Sequence, residues 1–213
     1  MKDIAIYGAG GFGREIACLI QRINMVEATW NFVGFFDDGL TKGASNTYGT
    51  VLGCMDDLNN WNGELAVVLA IGNPTILKYI SKKITNICVY FPNIISPDII
   101  WLDGSSVKMG KGNVICSRCL ISCDVSIGDF NIFNGYIPIG HDTSIGSFNV
   151  FMPSVNISGE VVIGDCNFMG VSSAILQQIK MGNNVRVGAG SVIIKKTKDS
   201  TLYVGNPAVK MEF

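Results

Sequence analysis

Residues 107–196 read VKMGKG NVICSR CLISCD VSIGDF NIFNGY IPIGHD TSIGSF NVFMPS VNISGE VVIGDC NFMGVS SAILQQ IKMGNN VRVGAG SVIIKK. These fifteen hexapeptides follow one another without insertion or deletion, and the third residue of each is apolar, from Met109 to Ile193. A period of six residues fits neither a heptad nor a helical stripe, and it is typical of a solenoid with three short strands per coil. The stretch therefore predicts a parallel β-helix with an apolar interior.

A second period, of eighteen residues, places asparagine at the first position of every third hexapeptide: Asn113, Asn131, Asn149 and Asn167. We expect these side chains to stack into a ladder along one edge of the solenoid. Eighteen residues then make one coil. With strands about 4.8 Å apart, five coils form a prism roughly 24 Å long.

The residues before the repeat alternate between strand and helix patterns. Residues 3–9 predict a buried strand that runs into a glycine turn at residues 8–13, and a helix follows. Further strands are expected at residues 31–36 and 64–71, and residues 72–74 lead from the latter into another helix. Strands that alternate with helices predict a small parallel sheet with ligand-binding groups at the carboxyl ends of its strands.

The glycine turn matches the dinucleotide-binding fingerprint at Gly8, Gly10 and Gly13, and Asp37 or Asp38 lies near the position of its ribose-binding acidic residue. About ninety residues precede the prism, too few for a full six-stranded dinucleotide fold. Because a glycine turn at a helix N-terminus favours phosphate groups in general, we predict that it binds the nucleotide portion of a substrate. A purely structural tight turn is the alternative.

Composition and charge disfavour several classes of protein. The chain of 213 residues has a formal net charge of -1, which gives no reason to expect a nucleic-acid partner. No apolar run approaches the roughly 18 residues of a membrane helix, so no membrane partner is expected. The opening MKDIAIYGAGGFG does not resemble a secretory signal, and a cytoplasmic location is therefore predicted.

The seven cysteines are an odd number, which disfavours a disulfide framework. Cys116 and Cys119, with Cys123 nearby, resemble a metal cluster. In the hexapeptide register, however, Cys119 takes the inward position of Ile137 and Val155, so packing accounts for it. We therefore predict no metal site.

The single histidine, His141, lies at the fifth position of its hexapeptide and hence at a corner of the prism, and Gly159 follows at that corner one coil later. A neutral imidazole near pH 7 suits the general base of acyl transfer from a thioester. Asp142 can hold the ring in one tautomer, and Gly159 can offer its amide to an oxyanion. An ordinary surface histidine is the alternative.

Basic residues are concentrated between Lys180 and the C-terminus, where Asp199 and Glu212 are the acidic residues. This excess suggests an anionic ligand at the C-terminal end of the prism. The alternative is that these charges protect the open end of a β-helix from edge pairing.

Seven short segments together resemble the hexapeptide-repeat sugar O- and N-acyltransferases of the sialic acid O-acetyltransferase type, which include enzymes that act on nucleotide-linked 4-amino sugars. The resemblance runs nearly from end to end. The matching segments are 7–13 (YGAGGFG), 34–38 (GFFDD), 70–73 (AIGN), 139–142 (IGHD), 157–159 (ISG), 187–192 (VGAGSV) and 204–208 (VGNPA).

This resemblance implies acetyl-coenzyme A (acetyl-CoA) as the donor and a homotrimer whose active sites lie between neighbouring prisms. It implies that His141 is the general base, that Asp142 assists it, and that the Gly159 amide faces the thioester oxygen. The implied acceptor-binding residues are Gly8, Gly10, Gly11, Gly13, Asp37, Asp38, Gly72, Asn73 and Asn134. The predicted coenzyme-binding residues are Gly159, Gly170, Val171, Gly188, Ala189, Gly205 and Pro207. Some relatives carry a second histidine nine residues after the base, where this chain has Val150.

We therefore predict an α/β, Rossmann-like domain at residues 1–90, followed by a left-handed parallel β-helix of hexapeptide repeats with a C-terminal tail at residues 91–213. The predicted function is N-acetylation of a nucleotide-linked 4-amino sugar in surface glycan biosynthesis. The alternatives are an O-acetyltransferase acting on sialic acid or a related sugar hydroxyl, and a non-catalytic trimer that binds nucleotide sugars. A zinc hydratase, which needs three histidines, and an NAD-dependent oxidoreductase fit the sequence less well.

Overall fold

The computed structural model describes residues 1–211, and its N-terminal part is a sheet with helices. The elements are β1 (Lys2–Tyr7), α1 (Gly11–Val26), β2 (Trp30–Phe36), β3 (Ser45–Asn46), β4 (Gly49–Gly53), α2 (Met55–Asn59), β5 (Leu65–Leu69), α3 (Pro74–Lys83) and β6 (Val89–Tyr90). The strand order is β3-β4-β2-β1-β5-β6. The β3–β4 pair is antiparallel and the other pairs are parallel. The predicted Rossmann-like alternation is confirmed.

The central strands of this sheet are continuous apolar runs because both of their faces are buried. Strand β1 is fully buried from Ile4 to Ile6, and β5 is buried along its whole length. Continuous apolar strands are typical of a parallel sheet that helices cover. Helix α1 contributes Ile16 and Ile20 to this core, and α3 contributes Leu77.

The second part of the chain is a solenoid of two-residue strands. They are β7 (Ile94–Ile95), β8 (Ile100–Trp101), β9 (Lys108–Met109), β10 (Val114–Ile115), β11 (Leu120–Ile121), β12 (Ser126–Ile127), β13 (Ile132–Phe133), β14 (Pro138–Ile139), β15 (Ser144–Ile145), β16 (Val150–Phe151), β17 (Asn156–Ile157), β18 (Val162–Ile163), β19 (Phe168–Met169), β20 (Ala174–Ile175), β21 (Lys180–Met181), β22 (Arg186–Val187) and β23 (Val192–Ile193). The hairpin of β24 (Leu202–Val204) and β25 (Val209–Lys210) follows.

The solenoid strands form three faces of a prism. The sheet orders are β25-β24-β22-β19-β16-β13-β10-β7, β23-β20-β17-β14-β11-β8 and β21-β18-β15-β12-β9. Successive coils pair in parallel, as Ser126 does with Ser144 one coil later. The predicted left-handed parallel β-helix is confirmed.

The first coil is longer than the others. Ile94 pairs with Val114 and Ile100 with Leu120, so this coil holds two more residues than the regular repeat. A short 3-10 helix, Gly104–Ser106, lies in its last third. The regular hexapeptide pattern therefore begins only at residue 107, although the solenoid itself begins earlier.

The third residue of each hexapeptide lies inside the prism, as predicted. These residues are buried in every hexapeptide from Ile115 to Ile193, and Met109 in the first coil is partly exposed. The rings of Phe133 and Phe151 stack with their centroids 4.8 Å apart. Cys119 is completely buried at the inward position predicted for it.

The predicted asparagine ladder is present, and its four members are completely buried: Asn113, Asn131, Asn149 and Asn167. At each step a side-chain Nδ2 donates to the Oδ1 of the asparagine one coil before, at 2.9 to 3.1 Å. The backbone N–H of the same residue donates to that Oδ1 at 2.8 to 2.9 Å. The ladder therefore satisfies polar groups that would otherwise be costly to bury.

The sixth residue of each hexapeptide turns the corner in the left-handed conformation. Its φ lies between 54° and 64° in every hexapeptide from Arg118 to Asn184. Residues other than glycine adopt this conformation rarely, and here the repeat imposes it on many side chains. Asp142 and Glu160 are two of them, and both have a φ of 56°.

An aromatic column joins the N-terminal sheet to the solenoid. The rings of Phe91 and Phe130 have centroids 5.0 Å apart, and those of Phe130 and Phe148 are stacked at 5.3 Å. The Nζ of Lys78, on α3, lies 5.7 Å from the centroid of Phe148. One apolar core continues from the sheet into the first coils.

The domain boundary at residue 90 stays a prediction. Strand β6 ends at Tyr90 and β7 begins at Ile94, so the change of architecture falls between them. The last two residues of the predicted second domain, Glu212 and Phe213, lie outside the described residues. Among residues 1–211, no helix has the length and apolar character needed to cross a membrane.

Candidate active site

His141 and Asp142 form a pair at the corner that follows β14. The Nδ1 atom of His141 lies 2.7 Å from the Oδ2 atom of Asp142, and about half of each side chain is exposed. Because an ionised carboxylate only accepts hydrogen bonds, the ring proton belongs on Nδ1. This leaves the lone pair of Nε2 available to take a proton, which is the arrangement that a general base requires.

Gly159 lies against the ring of His141 one coil later. It is buried, and a Cβ added to it would lie 2.7 Å from Nε2 and 2.9 Å from Cε1 of His141. Gly140 is also tight, since its added Cβ would collide with the Gly159 amide nitrogen. Among the hydrogen bonds of residues 1–211, the Gly159 N–H has no acceptor. An imidazole and an amide donor that lacks an acceptor among the described residues are therefore neighbours, as we predicted from their spacing.

Apart from Gly159, the predicted coenzyme-binding residues stack at a different corner, which follows β19, β22 and β24; we call it the glycine corner. A Cβ on Gly170 would lie 2.5 Å from the Ala189 nitrogen, so these coils are in close contact. Val171 is exposed and accepts a hydrogen bond from Gly190 at 2.8 Å. Small residues thus leave a narrow exposed track along this corner. Val171, Ala189, Gly205 and Pro207 are exposed along it, whereas Gly188 is half-buried and Gly170 is buried beneath it.

The structure places the predicted catalytic residues, with Gly159 of the coenzyme-binding set, and the remaining coenzyme-binding residues at two separate corners of one chain. Asn134, which follows β13, lies at the glycine corner. His141 and Gly159 follow β14 and β17 and lie at the next corner, which we call the histidine corner. A face of the prism lies between the two corners. A single chain therefore does not bring the two sets together.

The glycine turn combines tight packing with an open tip. A Cβ on Gly13 would collide with the carbonyl oxygen of Gly8, so only glycine lets α1 approach β1 so closely. Gly10 and Gly11 are exposed, and a Cβ on Gly10 would meet nothing within 4 Å. Gly8 and Gly13 therefore have a structural role, whereas Gly10 and Gly11 present exposed N–H groups, without an acceptor among residues 1–211, at the start of α1.

Asp37 and Asp38 hold the segment around this turn. Asp37 Oδ2 accepts from the Ala9 N–H at 2.8 Å. Asp38 accepts from the Tyr7 hydroxyl at 2.6 Å and from the Met55 N–H at 2.8 Å. Burial and the hydrogen bond to Asp38 raise the pKa of Tyr7 far above its ordinary value, so the phenol remains a neutral donor. The sequence did not reveal Tyr7, whose partner lies thirty-one residues away.

Gly72 and Asn73 follow β5 at the same sheet. Asn73 caps α3, since its Oδ1 accepts from the N–H groups of Thr75 at 3.0 Å and Ile76 at 3.3 Å. Pro74 occupies the first turn of that helix, where a missing N–H costs nothing. The side chain of Asn73 therefore has a structural role as the cap of α3. This role is independent of its predicted contact with an acceptor.

A cavity of about 300 Å³ lies between α1 and the glycine corner. Its lining residues are Glu15, Cys18, Leu19, Arg22, Cys116, Ser117, Asn134, Gly135 and Tyr136. Arg22 bridges the two walls, since it pairs with Asp98 at 3.2 Å and donates to Ser117. Of the predicted acceptor-binding residues, this cavity contains Asn134. Sequence patterns do not indicate the cavity, because its walls come from distant segments.

Val150 stands where some relatives have a second histidine. It is buried in β16, between Ile132 and Phe168 on the neighbouring strands. It also belongs to the apolar core shared with the N-terminal sheet. This position therefore has no access to an acceptor in the described structure.

The cysteines near the cavity are thiols. Burial raises the pKa of Cys116 to about 12 and that of Cys119 to about 11, so neither is a thiolate near neutral pH. Within residues 1–211, no group of three or more His, Cys, Asp or Glu side chains is placed to hold a metal ion.

Comparison with known proteins gives matches to both parts of the chain. Residues 3–84 match the model of the PglD N-terminal domain. The acetyltransferase domain of PglB from Neisseria gonorrhoeae FA1090, solved in complex with acetyl coenzyme A, is 28% identical over 99% of each chain, with a TM-score of 0.89. WeeI from Acinetobacter baumannii AYE is also 28% identical, covers 99% of this chain and 100% of its own, and has a TM-score of 0.89.

PerB from Caulobacter crescentus, solved in complex with CoA and GDP-perosamine, is 25% identical. The match covers 100% of this chain and 98% of PerB, with a TM-score of 0.85. A search of curated protein sequences gives no match. The structural matches span both domains, as the sequence resemblance predicted. Residues 3–84 match the PglD N-terminal domain, and the whole chain shares its fold with the PglB acetyltransferase domain and WeeI, in agreement with its resemblance to hexapeptide-repeat sugar acetyltransferases.

Proposed function

We propose that this protein is an acetyl-CoA-dependent N-acetyltransferase that acts on the amine of a nucleotide-linked 4-amino sugar, in surface glycan biosynthesis. One observation carries the proposal. His141 is held by Asp142 at 2.7 Å, and the same ring lies against Gly159, whose N–H has no acceptor among residues 1–211. A base and an oxyanion donor side by side are what acyl transfer from a thioester requires.

The geometry gives each group one role in the reaction. The acceptor amine attacks the thioester carbonyl carbon, and Nε2 of His141 takes the proton that the amine loses. Asp142 keeps the other ring proton on Nδ1 and stabilises the imidazolium. The Gly159 N–H donates to the oxyanion, an interaction worth roughly 2.7 to 4 kcal/mol. When the carbon–sulfur bond breaks, the imidazolium returns its proton to the departing thiolate.

The comparisons support the choice of substrates. The PglB domain was solved with acetyl coenzyme A, and PerB with CoA and GDP-perosamine. We propose that the coenzyme lies along the glycine corner and that the nucleotide lies at Gly10 and Gly11, beside Asp37 and Asp38. A cytoplasmic location suits these substrates, and it agrees with the seven cysteines, which are all thiols.

A homotrimer of parallel prisms explains why the two corners are separate. In such an assembly the histidine corner of one protomer faces the glycine corner of the next, which completes one site per interface. Closed cyclic symmetry makes the three sites identical. Asn134 and the cavity beside it then lie next to the histidine of the neighbouring protomer.

The test is an acetylation screen with the purified protein and acetyl-CoA. Nucleotide-linked 4-amino sugars carrying uridine, guanosine or thymidine are compared with free sialic acid, and thiol release is measured. The proposal expects thiol release with at least one amino sugar, and product mass must show an added acetyl group on the amine. Release with sialic acid alone would favour the O-acetyltransferase. Binding of a nucleotide sugar without any release would favour a non-catalytic protein.

A further inference from the structure

A second carboxylate lies beside the histidine corner. Glu160 occupies the sixth position of its hexapeptide, one coil after Asp142. Its backbone N–H donates to the carbonyl oxygen of His141 at 2.8 Å. Neighbouring strands lie about 4.8 Å apart, so the Glu160 backbone stands about one strand spacing from that of Asp142. It stands on the side of Gly159, toward which the ring of His141 leans.

Neutral donors hold the carboxylate of Glu160. Gln178 Nε2 donates to Oε2 at 3.0 Å, and Gln177 Nε2 donates to Oε1 at 2.8 Å. These hydrogen bonds, with a smaller contribution from the charge of His141, lower the pKa of Glu160. A lysine at either position would hold the carboxylate but cancel its charge. The two amides fix its place and leave the negative charge intact.

We propose that Glu160, held by Gln177 and Gln178, is a positioning residue whose charge stabilises the imidazolium formed when His141 accepts the acceptor proton. This role rests on the proposed function. Asp142 acts on the ring through a hydrogen bond at Nδ1, whereas Glu160 acts through space from the side of Gly159. Two carboxylates on different coils then both stabilise the positive charge that His141 gains during the reaction.

The other charged and titratable groups along this edge lie either on the opposite side of the His141 ring or farther from it. Asp124 lies one coil before Asp142, and the thiol of Cys123 lies one coil before His141, both on the side away from Gly159. Lys195 and Lys196 lie three coils after His141 and Asp142, about 14 Å away at one strand spacing per coil. At 0.1 M salt this exceeds the screening length of about 10 Å. Glu160 is therefore the charge on the Gly159 side that we expect the ring to sense.

The single histidine makes the test direct, because its imidazole resonances in an NMR titration have one source. Removing a nearby negative charge destabilises the imidazolium, so Glu160→Gln should lower the midpoint of the His141 titration. For an exposed pair we expect a fall of about 0.2 to 0.7 pH units at low salt. The difference should shrink in about 1 M salt.

A matched control is Glu27→Gln, which removes an exposed carboxylate at the end of α1 and should leave the midpoint in place. The double variant Gln177→Ala with Gln178→Ala keeps the negative charge of Glu160 but removes the two donors that hold its carboxylate in place. It should lower the midpoint of the His141 titration by less than Glu160→Gln does. An unchanged midpoint in Glu160→Gln at low salt would overturn the proposal. An unchanged midpoint in the double variant would overturn the part assigned to the glutamines.

A kinetic measurement separates this proposal from the proposed function. In the active enzyme, the acidic limb of the pH profile of kcat/KM should move to lower pH in Glu160→Gln, in step with the NMR midpoint. A fall in kcat with an unmoved limb would mean a merely structural role and would contradict the proposal. The NMR titration needs no acceptor, so it tests the charge effect of Glu160 even if the protein transfers no acetyl group.

Discussion

The ring of His141 fills the space that a side chain at Gly159 would need. Nε2, the atom assigned to proton transfer, would be the nearest neighbour of an added Cβ, at 2.7 Å. Because Gly159 has no side chain, the imidazole can lie directly beside its backbone amide. This contact gives the first prediction.

Gly159→Ala should displace the imidazole and lower kcat by about 10- to 100-fold, since a misplacement of about 1 Å can cost that much. The half-exposed ring can swing toward solvent, so the melting temperature should change little. The control is Gly104→Ala, where the nearest atom to an added Cβ is 3.7 Å away. Wild-type turnover in Gly159→Ala would contradict the contact proposed for catalysis.

His141→Ala should lower kcat by about 10² to 10⁴, the usual loss for a positioned base. Asp142→Asn should cost less, because the ring keeps its place near Gly159 while losing the negative charge at Nδ1. Steady-state kinetics give both values, and calorimetry with CoA should show unchanged binding. Near-normal turnover of His141→Ala on the true acceptor would mean that the proton leaves by another route.

Two inactive variants should restore activity to each other if the site is shared between protomers. His141→Ala damages the histidine corner, and Val171→Glu places a charge in the exposed track at the glycine corner. In mixed trimers one interface combines two undamaged corners, so co-expression should recover part of the wild-type rate. Light scattering should give about three times 22.9 kDa. A monomer at micromolar concentration, or no recovery in proven mixed trimers, would refute the shared site.

Asn149→Ala should destabilise the solenoid strongly. The change removes the acceptor of two bonds from Asn167 and the donor to Asn131, all in the buried ladder. Each buried group left without a partner costs about 1 to 3 kcal/mol, so chemical denaturation should show a large loss. Asn156→Ala is the control, since Asn156 is exposed and donates one bond to Ser154. Equal losses in both variants would argue against the ladder as a source of stability.

Asp57 should contribute stability that depends on pH. Hydrogen bonds from Lys42 and from Cys54 lower its pKa from 3.8 to about 2. A carboxyl whose pKa falls on folding stabilises the protein above the unfolded value, and the effect disappears as pH falls through the folded value. Asp57→Asn should therefore lower the melting temperature at pH 5, less at pH 3, and hardly at all near pH 2. A difference independent of pH would mean that ionisation is not its source.

The regular part of the fold was predictable because the same contact recurs at a constant separation. Once Asn113 and Asn131 are one coil apart, the partners of Asn149 and Asn167 follow, and the inward position of Cys119 follows from the same register. The strands and helices of the N-terminal sheet were recognisable from apolar runs between glycine-rich turns. Their ends moved by a few residues, because capping and pairing decide the last turn.

Contacts between unlike segments could not be predicted in this way. The bond from Tyr7 to Asp38 depends on how two strands and a loop meet, and the cavity beside Asn134 depends on where α1 settles on the solenoid. Glu160 was one regular step from Asp142 and could have been found from that spacing alone. What marks it as special, the two glutamine donors, requires the side-chain positions.

The aromatic column of Phe91, Phe130 and Phe148 bears on how an acceptor is selected. One edge-to-face ring pair, one stacked pair and a shared core hold the sheet against the solenoid, so we expect the span from the glycine turn to the glycine corner to vary little. A molecule held at the turn then presents its far end at one set distance. On the proposed function, this span selects the acceptor by its length. Nucleotide sugars whose diphosphate link matches the span bring their amine to the base, whereas shorter sugar phosphates do not extend to it.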